Sequence, residues 1–420
     1  MTAIPTKKIC LVTPGHLASN PRLVKEAQAL AANGYAVHLV FTQYVDYLID
    51  FDNHILNNNP SWTYDCLNRT LKNKQIKAYN FIVAAIQKFC KMLLLSGKKS
   101  NFIFAHAINR YFSWQFKKAV GAKADLYIGH NLAALPVAIL AAKKRKVKCG
   151  FDVEDFHRNE VSDDPKNINV QLNTFIEDKY FPQTDYLTTS SFPIMQLYQK
   201  LFPTKKITTL LNTFQVVKEV SPPVAKVNEP LKLFWFSQSI GLNRGLQDVF
   251  SALEFLKDEQ IELHLLGFLD NQTKKKLDEL VIGLQIKNKT NIVLHQPVKA
   301  DQLPIFAAQF DVGLALEPGF SINNNAALSN KIFTYLQAGL AVVASDTTAQ
   351  KQFINENPNL GFCYEKGNAQ QLASVLKRLI DQPELLLQTK QAAYHAARLN
   401  LNWETESIKF LNVVEETLSN

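Results

Sequence analysis

The stretch ALSNKIFTYLQAGLAVVASD, residues 327–346, has the pattern of a helix that runs directly into a buried strand. Ser329 or Asn330 can cap the helix, and Gly339 can end it with a positive φ. The following LAVVASD is an uninterrupted apolar run, as in parallel strands covered on both faces. Lys331 falls in the first helical turn, where the helix macrodipole disfavours a cation, so we expect an anion nearby.

The same alternation of strand and helix extends outward over residues 231–400, which we predict to be one domain. Strands are predicted at LKLFWFSQ (231–238), IELHLLG (261–267), TNIVLHQPV (290–298) and DVGLALE (311–317). Arg244 stands at the start of the helix that follows the first of these strands. A cation beside the free N–H groups of a helix N-terminus favours a diphosphate ligand.

A second α/β domain is predicted over residues 1–215. It opens with the strand ICLVTPG (9–15), the helix SNPRLVKEAQALAANG (19–34) and the strand AVHLVFT (36–42), a β-α-β unit of a doubly wound sheet. Further strands are predicted at ADLYIGHN (124–131), KCGFDVED (148–155), TDYLTTSS (184–191) and KITTLLNTF (206–214). Residues 216–230 hold three prolines and no apolar periodicity, which predicts a linker.

Residues 44–124 break the alternation, and we predict an inserted helical region there. Between Cys66 and Ala124 the sequence has twelve Lys or Arg and no Asp or Glu. Aromatic residues are interleaved with them, which suits a surface that meets anionic lipid headgroups. A solvated helical face with its aromatics in the core explains the pattern equally well, and nucleic acid is the less favoured partner.

Several classes of protein are excluded by composition and by missing motifs. Hydrophobic residues make up 47% of the 420 residues, so the chain is neither disordered nor of low complexity. The five cysteines form no metal or redox pattern and indicate a reducing compartment, which predicts a cytoplasmic protein. No dinucleotide fingerprint, P-loop or nucleophile elbow is present. We expect no signal peptide, and the apolar stretch 81–97 is too short and too charged for a membrane span.

Taken in order, these motifs resemble those of GT-B glycosyltransferases, most closely the retaining family-4 type. The resemblance rests on NPRLVKEAQALAANGYAVHLV and YIGHNLAALPVA in the first half, and on FSQSIGLNRGLQD, DVGLALEP and SNKIFTYLQAGLAVVASD in the second. It implies two Rossmann-like domains that face each other across a cleft, with the nucleotide-sugar donor held mainly by the second. It also implies that residues 401–420 form a helix that packs back on the first domain, and that neither a metal nor another cofactor is required.

The resemblance also assigns roles to residues. His130 matches the family's His near the donor sugar, and Arg244 matches the cation that neutralises the diphosphate leaving group. A catalytic role is expected for both and for Lys331, and the expected donor-binding residues are Gly15, Val298, Glu317, Ser329, Asn330 and Thr334. On the acceptor side, Asp152, Glu154 and Asp155 form an acidic triplet that can orient hydroxyl groups or cap a loop.

The sequence departs from the family's pattern in several ways: the second basic residue often found before Arg244 is absent, and Glu154 stands where many relatives have His. The family's paired glutamates are replaced by Ala326 and Thr334, of which Thr334 can offer a ribose hydroxyl only a weaker hydrogen bond.

From the resemblance we predict transfer of a sugar from a nucleoside diphosphate sugar to a precursor of a cell-surface polysaccharide or glycolipid. If the basic segment binds lipid, this takes place at the inner face of the membrane. The alternatives are a GT-B-fold nucleotide-sugar epimerase and a non-catalytic binding subunit.

Overall fold

The protein is described from a computed structural model that covers residues 6–70, 74–226, 229–241, 244–283 and 290–419. The chain forms two compact units. Unit 1 contains Met1–Leu211 and Ser407–Asn420, and unit 2 contains Asn212–Glu406. Each unit is built on one parallel sheet with flanking helices, which confirms the predicted α/β class.

Unit 1 is organised around a seven-stranded parallel sheet. Its strands are β1 (Lys8–Val12), β2 (Ala36–Gln43), β3 (Thr63–Asn68), β4 (Leu126–His130), β5 (Lys148–Val153), β6 (Tyr186–Thr189) and β7 (Ile207–Thr209). They lie in the order β3-β2-β1-β4-β5-β6-β7. Every residue of β4 is buried, and because neighbouring side chains point to opposite faces, the centre of the sheet is covered on both sides.

The helices of unit 1 connect these strands. They are α1 (Pro21–Ala32), α2 (Asp46–Asn57), α3 (Lys74–Leu95), α4 (Asn101–Ile108), α5 (Phe112–Ala122), α6 (Leu135–Arg145), α7 (Ile168–Tyr180) and α8 (Phe192–Leu201). The start of α1 is as predicted: the Asn20 side chain accepts a hydrogen bond from the Leu23 N–H at 3.1 Å, and Pro21 is the first helical residue. Gly34 follows the helix with a φ of 83°.

The region 44–124 is not wholly helical, and the prediction is corrected there. Strand β3 pairs with β2 and extends the sheet at its edge. Its first two residues, Thr63 and Tyr64, are exposed, so it lacks the apolar run that marks the central strands. The helix in the apolar stretch is also longer than expected, at 22 residues. By length and composition, α3 is the one helix among the described residues that could cross a membrane, which alone is weak evidence for a span.

Unit 2 has a six-stranded parallel sheet. Its strands are β8 (Leu231–Ser239), β9 (Ile261–Phe268), β10 (Thr290–His295), β11 (Val312–Ala315), β12 (Ala341–Ser345) and β13 (Gly361–Tyr364), in the order β10-β9-β8-β11-β12-β13. The apolar core lies between this sheet and its helices, and includes Trp235, Leu246, Leu263, Leu314 and Val343.

The helices that follow in the chain flank this sheet, except for the last. They are α9 (Leu246–Glu254), α10 (Asn271–Gly283), α11 (Leu303–Ala307), α12 (Ile322–Ala326), α13 (Asn330–Ala338), α14 (Thr348–Glu356), α15 (Ala369–Asp381), α16 (Pro383–Leu399) and α17 (Trp403–Ser419). The last helix, α17, belongs to unit 1 from Ser407 onward. Gly339 ends α13 with a φ of 69°, as the sequence predicts.

The predicted linker 216–230 is not a free segment. Nη2 of Arg398 on α16 donates to the carbonyl oxygens of Val217 at 3.0 Å and Val220 at 3.1 Å. Tyr394 on the same helix also donates to Val220. The Pro-rich segment is therefore bound to unit 2, and the chain passes between the units after Leu211 and again after Glu406.

The order of strands defines where ligands bind in each sheet. In a doubly wound sheet the ligand site lies at the carboxyl ends of the two strands where the order reverses. In unit 1 these strands are β1 and β4, and in unit 2 they are β8 and β11. The residues that follow β8 include Arg244, and those that follow β11 include Glu317. Both predicted donor contacts thus belong to the switch point of unit 2.

Candidate active site

The carboxylate of Glu317 is the centre of a polar cluster in unit 2. Its Oε1 accepts hydrogen bonds from Lys331 Nζ at 2.6 Å and from Ser329 Oγ at 2.9 Å. Burial alone would raise the pKa of Glu317, but Lys331 and Ser329 hold it below its usual value. Arg244 lowers this pKa further. Glu317 is therefore ionised at neutral pH, and it is the anion that the position of Lys331 in α13 predicts.

Arg244 is exposed and lies next to Gly245, the N-cap of α9. Gly245 has a φ of 80°, and a Cβ atom there would come within 1.8 Å of the Leu316 carbonyl oxygen, so only glycine fits. This close approach holds the start of α9 against the residue that precedes Glu317. Lys331 therefore contacts the Glu317 carboxylate directly, and the charge of Arg244 acts on the same carboxylate from farther away. No carboxylate of the described residues lies within 4.0 Å of the Arg244 guanidinium nitrogens, so that charge remains available.

Two helix N-termini meet this cluster without a side-chain cap. Ser329 is the N-cap of α13, but its hydroxyl donates to Glu317 and makes no capping bond. Gly245, the N-cap of α9, has no side chain that could cap. The first-turn N–H groups of a helix are a ready site for phosphate. Together with Arg244, they make this edge of unit 2 electrostatically suited to a diphosphate.

The other predicted donor residues are placed less uniformly. Asn330 is exposed at the first position of α13, and Val298 is half-buried after β10. Thr334 is only 2% exposed, because it lies on the inner side of α13. The side chain is thus part of the packing of unit 2, and its contact with a ribose hydroxyl stays a prediction. Ala326, at the other departure from the family, is also buried.

His130 lies at the end of β4 and is buried within unit 1. Its Nε2 is 3.1 Å from Glu26 Oε2, and its Nδ1 is 3.5 Å from Asp152 Oδ2. Burial would lower the pKa of His130, but the carboxylates of Glu26 and Asp152 raise it to about 9. The ring is 1% exposed, and both ring nitrogens face carboxylates. The role of His130 near the donor sugar stays a prediction.

The acidic triplet at the end of β5 does not act as a unit. Both oxygens of Asp152 accept from Arg22, at 2.8 Å and 2.7 Å, and one also accepts from Thr188 at 2.7 Å. Asp152 is 1% exposed and forms a buried ion pair. Glu154 and Asp155 are half-buried, and a role of the triplet in orienting an acceptor stays a prediction. Burial raises the pKa of Glu154.

Gly15 lies in the loop after β1, at the switch point of unit 1. A Cβ atom there would lie 3.3 Å from the ring of Tyr44, which follows β2. His16, the next residue, holds this loop: its Nε2 accepts from the backbone N–H groups of Tyr44 and Val45, and its Nδ1 lies 2.6 Å from Asp52. The loop is thus a packed turn whose contact with a donor stays a prediction.

Two buried charged residues of α1 were not predicted from the sequence. Arg22 and Glu26 are both buried and together enclose the His130 and Asp152 pair. Their spacing of four residues, beside the apolar positions Leu23 and Ala27, was a readable signal. Ligand atoms of Glu26, His130 and Asp152 lie within 4.8 Å of one another, which resembles a metal site. Arg22 already occupies both oxygens of Asp152, so this donor set fits a balanced ion network better than a metal ion.

Comparison with known proteins agrees with this geometry. Residues 217–396, which are most of unit 2, match the family model described as glycosyl transferases group 1. No curated protein matches the chain by sequence.

Solved structures share the fold over nearly the whole chain. A glycosyltransferase from Rickettsia africae ESF-5 has a TM-score of 0.67 and 16% identity, over 99% of this chain and 100% of that chain. Anabaena Alr3699/HepE, solved in complex with UDP, has a TM-score of 0.65 and 13% identity, over 98% and 100%. Sucrose-phosphate synthase from Thermosynechococcus elongatus has a TM-score of 0.66 and 12% identity, over 98% and 99%. The chain therefore has the GT-B fold, and residues 217–396 are similar to glycosyl transferases group 1.

Proposed function

We propose that the protein transfers a sugar from a nucleoside diphosphate sugar to a precursor of a cell-surface polysaccharide or glycolipid, with retention of configuration. The observation that carries this proposal is the convergence of Arg244 and Lys331 on Glu317 at two uncapped helix N-termini. The group 1 match covers these residues, and a structural neighbour was solved with UDP. A nucleoside diphosphate is the ligand whose charge such an arrangement complements.

The chemistry needs charge stabilisation more than a nucleophile. As the bond between the anomeric carbon and the diphosphate breaks, negative charge grows on the leaving phosphate. Arg244, which has no carboxylate partner among the described residues, stabilises that charge most in the transition state. Lys331 begins paired with Glu317, so the leaving phosphate competes with the carboxylate for it.

Retention requires the acceptor to attack from the face that the diphosphate leaves. The acceptor oxygen forms the new bond to the anomeric carbon, and its proton passes to the departing phosphate oxygen. No enzymic nucleophile or metal takes part in this scheme. Glu154 and Asp155 are the acidic side chains placed to orient the acceptor hydroxyl in unit 1.

The proposal is tested by incubating the protein with a panel of nucleoside diphosphate sugars, beginning with UDP-glucose, with and without saccharide acceptors. Transfer or slow donor hydrolysis that is lost in Arg244→Ala supports it. The control is Lys257→Ala, which removes an exposed cation of the same unit. If the donor is epimerised in the absence of acceptor, the protein is a nucleotide-sugar epimerase and the transferase proposal is wrong. Unchanged donor under every condition, with the nucleotide still bound, would identify a binding subunit.

The outer face of α3 supports a peripheral location at an anionic membrane. Its inner side packs through Val83, Cys90 and Leu94. The opposite side presents large apolar residues to solvent, and the exposed fractions are 77% for Phe81, 54% for Ile82, 56% for Phe89 and 59% for Met92. Isolated exposed apolar side chains are ordinary, but a continuous row on one helix marks an interaction surface.

Charge selects the partner for this face. The segment 66–124 is basic throughout, and Lys77 and Lys88 are exposed on α3 beside the apolar row. A helix of this kind lies in the headgroup region, with apolar side chains inserted and lysines on anionic phosphates. Spanning is disfavoured, because it would carry Lys88 and Lys91 into hydrocarbon at about 2.5–3.5 kcal/mol each. The five cysteines are free, which agrees with the cytoplasmic side.

Flotation with vesicles tests the membrane proposal. The protein should float with vesicles of phosphatidylcholine and phosphatidylglycerol, float less with phosphatidylcholine alone, and be released by alkaline carbonate. The double variant Phe81→Ser/Phe89→Ser should lose binding, whereas Phe255→Ser, an exposed phenylalanine of unit 2, should not. Binding that ignores lipid charge and salt would contradict the proposal.

A further inference from the structure

Arg69 holds a charge that no carboxylate of the described residues balances. It follows β3 at the carboxyl edge of the sheet of unit 1. Its Cζ lies 4.0 Å from the ring centroid of Tyr111 and 5.3 Å from that of Tyr44, so the guanidinium is flanked by two aromatic rings. The side chain is half-buried, and its Nε is buried without a hydrogen-bond partner.

No acid of this region neutralises Arg69. No carboxylate of the described residues lies within 4.0 Å of its nitrogens, and the sequence from 66 to 124, including residues 71–73, contains no Asp or Glu. Burial lowers the pKa of Arg69 and the positive charge of Arg110 lowers it further, although a hydrogen bond with Tyr111 opposes them. A partly desolvated cation beside another cation is unfavourable unless an anion joins it, so the arrangement favours the binding of an anionic ligand.

The location of Arg69 relates this ligand to the substrate edge of unit 1. Tyr44, which flanks the guanidinium, is also the residue that packs against Gly15 in the loop after β1. The loop after β1 and the end of β4 form the switch point of this sheet, where ligands of doubly wound sheets bind. An anion on Arg69 therefore lies along the edge at which unit 1 would receive its substrate.

We propose that Arg69 binds a phosphate group carried by the acceptor substrate, and that Arg110 adds positive charge beside it. This inference rests on the proposed transferase function for the identity of the acceptor. The planar guanidinium can form two parallel hydrogen bonds with phosphate oxygens, and the rings of Tyr111 and Tyr44 hold it in one orientation. If Arg69 only packs against these rings, its replacement changes stability but no phosphate affinity.

The test is titration of hexyl phosphate, a soluble phosphomonoester, into the full-length protein by calorimetry. In the Arg244→Gln background, which weakens the diphosphate site of unit 2, Arg69→Gln should weaken hexyl phosphate binding by at least ~10-fold. Arg69→Lys, which keeps a point charge, should lose less affinity for hexyl phosphate than Arg69→Gln does. The control Arg145→Gln, an exposed arginine at the end of α6, should bind as its parent does. Equal affinity in Arg69→Gln and its parent overturns the inference.

A second measurement uses the unaltered protein, in case the Arg69 variants do not fold. Phenylglyoxal should modify the half-buried guanidinium of Arg69, and hexyl phosphate should protect it while UDP does not. Protection by neither compound, or by UDP alone, overturns the inference.

Two further results locate the source of the phosphate and separate this inference from the proposed function. Arg69→Gln in the otherwise unaltered chain should bind phosphatidylglycerol vesicles as well as the parent does; an equal loss there would assign the site to lipid headgroups and overturn the acceptor assignment. The same variant should keep its affinity for UDP. Failure of UDP to bind any variant would refute the donor site of unit 2 and leave the Arg69 result standing.

Discussion

Replacing Lys331 by methionine should destabilise unit 2 by leaving Glu317 with a buried, unpaired charge. The side chains of Lys331 and Glu317 are 13% and 18% exposed, and their charged atoms are 2.6 Å apart. Removing one partner of a fully buried pair costs about 3–5 kcal/mol. The remaining exposure and the Ser329 hydrogen bond reduce that cost, so we expect about 2–3 kcal/mol. For a domain of this size the melting temperature should fall by about 5–10 °C.

The pH dependence of this effect has a definite sign. The pKa of Glu317 is lowered in the folded state, chiefly by Lys331 against the opposing effect of burial. The pair therefore stabilises the fold fully above the usual carboxyl pKa of 4.5, and this contribution is lost as the pH falls through the lowered folded value. The difference in stability between the parent and Lys331→Met should be constant near pH 7 and shrink in acid.

Urea denaturation measures the free energy of unfolding of four proteins: the parent, Lys331→Met, Glu317→Gln and the double variant. The double variant has no unpaired charge, so it should be more stable than Lys331→Met. The control is Lys366→Met, whose partner Asp346 is 3.7 Å away and whose side chain is 40% exposed, and it should change stability by less than about 1 kcal/mol. A Lys331→Met variant as stable as the parent, or a double variant that loses the sum of the two single effects, would refute the reasoning.

Three further outcomes are expected. Gly245→Ala should lower the free energy of unfolding by about 2–4 kcal/mol and abolish nucleotide binding, because the added methyl group would meet the Leu316 carbonyl oxygen at a residue whose φ is positive. A soluble variant with unchanged UDP affinity would contradict this expectation. The pKa of His130 is raised from 6.5 to about 9 in the folded protein. The imidazolium therefore stabilises the fold fully below pH 6.5, and this stabilisation is lost as the pH rises through 9. The stability gap between the parent and His130→Gln should therefore narrow from pH 6.5 to 9, and a gap that widens would exclude an imidazolium. Extensive dialysis against EDTA should leave transfer activity intact, whereas a loss restored by Mg²⁺ would show that a metal takes part.

The sequence predicts most of the regular structure because parallel sheets covered by helices leave strong local signals. The run LAVVASD and the Asn20-Pro21 helix start are both found where expected. Strand β3 was missed because an edge strand exposes part of one face and needs no apolar run. The contacts of the segment 216–230 could not be predicted for a different reason: the carbonyl groups of Val217 and Val220 are bound by Arg398, which lies about 180 positions away in the sequence, and no local pattern reveals this.

The candidate site divides in the same way. Arg244 and Lys331 could be identified because a cation at a helix N-terminus contradicts the dipole rule and so indicates an anion. The sequence did not reveal that Glu317 is that anion in the free protein, since the pairing depends on how α13 packs beside β11. The burial of His130 and the contact of Asp152 with Arg22 could not be predicted because they arise from tertiary structure, although the charged pair on α1 gave a hint.

Calorimetric titration of UDP and of uridine tests most directly whether two cations and two helix ends hold a diphosphate. UDP should bind much more tightly than uridine. The Arg244→Gln variant should bind UDP about 10-fold or more weakly than the parent, with its affinity for uridine unchanged. Lys257→Gln should match the parent for both. Equal binding of UDP and uridine, or UDP binding that is indifferent to Arg244, would contradict it.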